Sequence, residues 1–503
     1  MATHCGYVVC VENLRPHSNA DRLQVATFFG NDTCVGLDVV KGEIGIYFPT
    51  DLQLSEEYCE QNNLVRKKDD AGNNIGGYME ANKRNVTTIR LRGEKSDGLY
   101  MPLSSVVYTG VNLDDLNPGD TISVVNGHPI CDKYIPRSNS SNRVKQGNKT
   151  RMVKVPVAPL FKEHADTEQL AYNLSAFKPG DFVEITLKMH GTSQRTGYLP
   201  VFKEYKNTNW WGKIANAINP KKPMGSLTKK LYKQALEYAI PVYDWGYVSG
   251  TRRTVLENYE GGYYGSNEFR EEHSKIFEGK LLKGETVYYE VVGFTTSGAP
   301  IMGDCDNKKL NDKEFIKQYG PTTRFSYGCV PDGMTRKNLI DFIRSGEAAF
   351  ELRKPQSDIY VYRMTMTNED GDVVEYTPDF MRYRCEQMGV KTVPIFWKGT
   401  ISEVKEGIPY VGYWDELYYN NGVIGCYVEQ PLIKKAEEFY AGPDPIGKTH
   451  VREGVVVRIV NRPKFTAYKH KNFEFKCLSG IAIADAEANG SLDGFDEDIL
   501  TEM

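Results

Sequence analysis

The chain contains no C-x-x-C pair, no apolar run near the ~20 residues that span a bilayer, and no marked excess of charge of either sign. Ten cysteines (5, 10, 34, 59, 131, 305, 329, 385, 426 and 477) without such pairing argue against a zinc ribbon and against a disulfide scaffold. Reduced thiols in a cytoplasmic compartment are the expectation. The longest apolar stretches are short, as at Tyr7 to Val11, and no cleavable signal precedes them, so neither a membrane segment nor secretion is expected. With 62 Lys and Arg against 66 Asp and Glu, the formal charge of −4 does not advertise nucleic acid, and any basic surface must be local.

What is present is an ordinary globular composition, 40% hydrophobic and 25% charged over 503 residues, enough for two or three domains and too apolar for disorder. Residues 1–132 alternate short β-rich runs (Tyr7 to Val11, Leu23 to Thr27, Thr33 to Val40, Gly45 to Pro49) with turns, which reads as a small β-barrel. Between Asp132 and Glu163 no acid occurs, while Lys133, Arg137, Arg143, Lys145, Lys149, Arg151, Lys154 and Lys162 do. This stretch, with its polar centre Ser138 to Asn142, is taken as a basic linker over 133–160, either simply solvated or holding phosphates. A second basic segment over 203–233 sets eight lysines against Glu204 and encloses Trp210 and Trp211, a combination suited to a nucleic-acid contact. Its competing reading is an amphipathic surface helix around Leu227 to Tyr238. After Lys476 the sign reverses, with seven acids and no Lys or Arg, giving an acidic tail over 481–503.

The chemistry-bearing segment is Asp181-Phe-Val-Glu-Ile-Thr-Leu-Lys188-Met189-His190-Gly191-Thr192-Ser193-Gln194-Arg195, a β-rich run that ends in a lysine before a tight glycine turn. Such a placement holds an amine at the mouth of a cleft. Its K-x-H-G resembles motif I of ATP-dependent RNA ligases, where DNA ligases usually carry K-x-D-G. Companions follow in the family's order. Val248 to Thr254 resembles motif Ia, Val287 to Phe294 motif III, Asp358 to Met364 motif IIIa, Arg452 to Arg458 motif IV and Tyr468 to Phe473 motif V. Together with Pro16 to Leu23, which resembles the H-x-N-A-D-R-L segment of tRNA-binding OB-type domains, and Leu91 to Leu99, they are most similar to the Deinococcus-type, or fifth, RNA ligase family. The chain is longer than that family's members, and the excess at 199–244, 296–354 and 367–445 reads as insertions.

The resemblance implies an α+β chain: an N-terminal OB-like β-barrel followed by an antiparallel-sheet nucleotidyltransferase domain over 161–480. It implies an ATP-dependent RNA ligase that joins RNA 3′-hydroxyl to 5′-phosphate ends at nicks or breaks, with Mg²⁺ or Mn²⁺ and an RNA partner, duplex or RNA–DNA hybrid, acting as a monomer. Lys188 would be the nucleophile that becomes lysyl-AMP. At a pKa of ~10.4 a free lysine is almost wholly protonated at pH 7, so the site must favour the neutral amine. Glu453 would hold the metal, Glu290 the ribose hydroxyls, and Tyr362 the adenine ring, with Tyr360 two residues earlier as the fallback. Lys469 and Lys471, two apart on a strand, would face the α-phosphate together. Arg195 and Arg252 are candidates for the ribose edge or the RNA 5′-phosphate, and His190 for shaping the motif I turn. Removing residues 1–130 is expected to spare adenylylation and impair joining. Competing functions are another covalent nucleotidyltransferase, such as a DNA ligase or capping enzyme, and a non-catalytic RNA-binding protein.

Overall fold

The computed structural model describes residues 4–69, 72, 74–135, 157–164, 167–218, 225–256, 259, 267–296, 298–329, 357–401 and 431–489. The centre of the basic linker with Arg137 to Lys154, Lys221 and Lys222, parts of the second and third insertions, and the acidic residues beyond 490 lie outside them.

Alternating apolar residues build the expected N-terminal strands. Gly6–Cys10 pairs with Ile44–Phe48, and Leu99–Pro102 and Thr121–Ile122 complete a four-stranded antiparallel sheet. Leu14–Pro16, Leu23–Phe28 and Asn31–Gly36 form a three-stranded meander. Among the described residues no ladder joins these sheets into a closed barrel. The turn at Pro16 to Leu23 packs on the tip of the Thr88–Leu91/Glu94–Asp97 hairpin, where the buried His17 ring lies 3.0 Å from the Leu91 carbonyl through Nε2.

Two antiparallel sheets carry the remaining chain. One runs Glu168–Gln169, Thr466–Lys471, Gly454–Ile459, Phe182–Lys188, Ile395–Thr400, with only its short first strand parallel to its neighbour. The other runs Pro241–Gly250, Thr192–Tyr205, Glu285–Gly293, Ser357–Thr367, Val373–Glu375, with Lys391–Thr392 added in parallel. Lys188 ends a strand of the first sheet, and four residues later Thr192 begins one of the second. The motif I turn is therefore the hinge between the sheets.

The N-terminal strands are not an appendage. Val9, Val11, Ala26 and Phe28 share one core with Val183, Ile185, Val455 and Val457, the back of the Lys188 sheet. Polar contacts close the same seam: Arg90 donates to Glu474 at 3.0 Å, and Lys476 reaches the buried Asp97 at 2.5 Å. The helix Phe473–Asn489 carries the first nine residues of the acidic segment after 480. No helix among the described residues is long and apolar enough to cross a membrane, and their nine cysteines are free thiols.

Candidate active site

Strand periodicity builds the floor of the site. Lys188 faces Gly454, and Gly454 faces Lys471; Thr186 faces Val456, and Val456 faces Lys469; Glu184 faces Arg458. Because side chains alternate along a strand, positions 184, 186 and 188 share a face with 454, 456 and 458 and with 469 and 471. The three strands thus present three cross-strand rows on one surface. Glycine is required at 454, where an added Cβ would stand 2.1 Å from the His470 carbonyl oxygen and 2.8 Å from the Lys471 Cα.

At the outer row the charges converge on Glu453. Its carboxylate is buried and lies 2.8 Å from Lys188 Nζ and 3.5 Å from Lys471 Nζ through Oε1, and 3.4 Å from His190 Nδ1 through Oε2. Burial alone would raise its pKa, but Lys188, Lys471 and His190 outweigh that and hold it well below the ordinary carboxylate range. Oε2 is buried without a hydrogen bond, an acceptor left spare. The His190 ring sits edge-on between Phe325 and Phe475, with centroids 4.4 and 4.7 Å away, and its backbone N–H donates to Tyr327 Oη. These contacts seat His190 within the motif I turn.

The second sheet forms the opposite wall. Glu290 lies between Ser193 and Tyr360 in the ladders and lines the cleft, as do Tyr362 and Arg252. The ladder slips between Tyr288 and Tyr289, so Tyr362 is the extra residue of a β-bulge. The slip falls beyond Val361, so both tyrosines stay on the Glu290 side and it is Arg363 that the bulge brings to that side as well, against His164 and Tyr288. Tyr360 is 4% exposed within the core, whereas Tyr362 faces the cleft and is held by its hydroxyl, 2.9 Å from Ser193 Oγ. Burial and the neighbouring Glu290 raise its phenol pKa, so it stays neutral.

The cleft is lined further by His164, Glu184, Thr186, Met381, Arg458 and Phe465. Its inner end contains residues the sequence reading did not single out. Arg458 is 8% exposed; its Nη2 donates to the Tyr376 carbonyl, its Nε has no hydrogen bond, and burial lowers its pKa to about 10. His164 is buried beside Tyr362, with Nδ1 3.0 Å from Arg363 Nη1, and burial together with Arg363, Arg252 and Arg195 keeps it neutral. Arg458 was legible, being two residues beyond Val456 on the same strand. Nothing in the sequence signals His164, which reaches the cleft only through the path of the segment after the linker.

Arg195 goes elsewhere. It is 1% exposed, donates from Nε to the Thr251 carbonyl at 2.9 Å and from Nη1 to the Phe161 and Lys162 carbonyls, and stacks over the Phe161 ring. Its guanidinium pins the chain on either side of the cleft, next to Arg252 and His164, and does not line it. Structure thus brings Lys188, Glu290, Tyr362, Arg252 and Glu453 together, with Lys469 and Lys471 on the adjoining strand, and leaves Arg195 behind them.

No family model and no curated protein matches the chain. Among solved structures it is similar to an RNA ligase of Naegleria gruberi with ATP and Mn, at 12% identity and a TM-score of 0.47 over 94% of this chain and 98% of that one. The same ligase with AMP and Mn (13%, 0.45, over 94% and 97%) and with PPi (13%, 0.46, over 93% and 96%) gives similar values. At such scores the likeness decides nothing about chemistry, which rests on the cleft itself.

Proposed function

We propose that the protein is an ATP-dependent RNA ligase working through a lysyl-AMP intermediate. The observation that carries this reading is the row Lys188, Glu453, Lys471 at the outer end of a cleft whose wall bears Tyr362 and Glu290. A nucleophilic amine, a buried carboxylate and further cations at the mouth of a cleft are what attack on an α-phosphate requires. Agreement of these groups with the six sequence motifs of RNA ligases supports the polymer assignment.

In the first step the neutral Lys188 Nζ forms a bond to the α-phosphorus of ATP and the bond to pyrophosphate breaks. Lys469 and Lys471 take up charge on the non-bridging oxygens. Tyr362 would stack on the base and Glu290 accept from the ribose hydroxyls. AMP then passes to the RNA 5′-phosphate, and a 3′-hydroxyl displaces it to form the phosphodiester.

A divalent metal fits Glu453, whose buried Oε2 makes no hydrogen bond. Among the described residues no group of three or more His, Cys, Asp or Glu gathers, so one carboxylate would hold the ion together with phosphate oxygens and water, the habit of Mg²⁺ and Mn²⁺. When bound, such an ion stabilises charge at the α-phosphate. Glu453 is too weak a base to take the Lys188 proton; it holds the amine in line.

The test is sealing of a nicked RNA duplex with 3′-hydroxyl and 5′-phosphate ends, set beside the same nick in DNA. Sealing of RNA with transient 5′-adenylylated strand supports the reading. Sealing of DNA alone would replace it with a DNA ligase.

A further inference from the structure

Tyr205 and Pro241 face each other at the outer end of the long hairpin Thr192–Tyr205/Pro241–Gly250. Between them the chain makes two helices, Trp210–Ala217 and Ser226–Tyr238, around a small core of their own formed by Tyr205, Ala215, Tyr232 and Ala235. The inner end of the hairpin pairs Arg195 with Gly250, two residues before the cleft residue Arg252. At ~3.3 Å per residue the ten-residue span from Arg195 to Tyr205 places this cap roughly 30 Å from the cleft. A nucleotide in the cleft cannot touch it, but a polymer threaded through the cleft can.

Its surface suits a polyanion. Residues 203–240 hold eight lysines and two acids, Glu204 and Glu237, in a chain whose net charge is −4. Lys206, Lys213, Lys230 and Lys233 are exposed. Trp210 is 60% exposed with its ring 4.5 Å from that of Trp211, and Trp211 in turn lies 5.5 Å from Tyr238. Asn209 fixes this aromatic row, accepting from the Trp211 N–H and donating to the Tyr238 carbonyl, each at 2.9 Å. Lysines supply salt-dependent phosphate affinity and a fixed indole supplies a face for a base.

We propose that the 206–240 cap is an RNA-binding arm that holds the substrate about 30 Å from the joint. Its lysines meet backbone phosphates and Trp210 stacks on a base or ribose. The proposal rests on the RNA ligase reading of the cleft.

The experiment measures anisotropy of a fluorescent nicked RNA duplex longer than the arm's reach, with the full-length protein at about 50 to 200 mM salt. Three variants are compared: Lys206→Glu with Lys213→Glu, Lys230→Glu and Lys233→Glu; Trp210→Ala; and residues 206–240 replaced by a two-residue Asn-Gly turn, which the Tyr205/Pro241 pairing can accept. Lysyl-AMP formation and binding to phosphatidylserine vesicles are measured in parallel. The expected result is RNA binding weakened at least tenfold in the lysine variant and the replacement, a log K against log salt slope shallower by about 3 for four lost phosphate contacts, a smaller loss in Trp210→Ala, and unchanged lysyl-AMP formation. Equal RNA affinity and salt slope in all three variants overturns the arm, as does vesicle binding that depends on these residues while RNA binding does not. Failure of the wild type to form lysyl-AMP would instead remove the ligase reading, and the RNA anisotropy would still decide the arm.

Discussion

Gly191→Ala is the sharpest perturbation of the motif I turn, because the glycine lets the Lys188 turn lie against the Glu290 strand. A Cβ there would stand 2.4 Å from the Val291 carbonyl oxygen, 2.7 Å from Val292 Cγ1 and 2.9 Å from Glu290 Cγ, where ordinary contact begins at 3.4 Å. The nearest atom belongs to the backbone of a central strand, so no side chain can rotate away. Turn and strand must separate by about 1 Å, which costs ~1–3 kcal/mol in overpacking and displaces the amine from the ribose and base wall. A misplacement of ~1 Å typically lowers a rate about 10²-fold. The assay is single-turnover lysyl-AMP formation at saturating ATP, with thermal melting to show that the variant folds. A folded Gly191→Ala protein within twofold of the wild-type rate would refute the claim that this contact sets the geometry.

The other consequences are equally specific. Tyr362→Ala should weaken ATP binding by the ~1–3 kcal/mol of a base–aromatic stack, while Tyr360→Phe, altered only in the core, should not; calorimetric titration with ATP distinguishes them, and equal losses would count against Tyr362 as the stacking residue. His164 is buried and neutral, its folded pKa held well below the ordinary ~6.5. Below that ordinary value the unfolded chain binds a proton that the folded one does not, so stability is full above about pH 6.5 and falls as pH is lowered through and beneath it. Melting temperature against pH should be flatter in His164→Gln than in the wild type, and identical profiles would contradict this. Removal of residues 1–130 should abolish adenylylation and joining together, since it strips Val9, Val11, Ala26 and Phe28 from the back of the Lys188 sheet; a truncated protein that still labels with ATP would show the shared core to be dispensable.

Much of the site was legible because it obeys strand periodicity. Lys469 and Lys471 share a face, and Gly454 sets the register that brings Lys471 to Glu453. Glu453 and Lys188 lie 265 positions apart, yet Glu453 adjoins Gly454 and Lys188 stands three residues before Gly191, glycines whose necessity is local and readable. The choice between Tyr360 and Tyr362 could not be read, because both lie on the Glu290 side of one strand and only the tertiary packing covers Tyr360 and leaves Tyr362 at the cleft. Arg195 misled for a different reason. A guanidinium fits phosphate and main-chain carbonyls alike, and only the tertiary path of 161–164 and 251 shows that carbonyls claim it. The N-terminal strands were half readable in the same way: their alternation was visible, but the partner of their buried face was not.

The central claim, that Lys188 is the nucleophile of a nucleotidyl transfer, is tested most directly by incubating the full-length protein with α-labelled ATP and Mg²⁺ or Mn²⁺ and running it on a denaturing gel beside Lys188→Ala. The account predicts label on the wild type that is sensitive to acid, as a phosphoramidate should be, and none on the variant. Label of equal strength on Lys188→Ala, or none on the wild type with either metal, would contradict it.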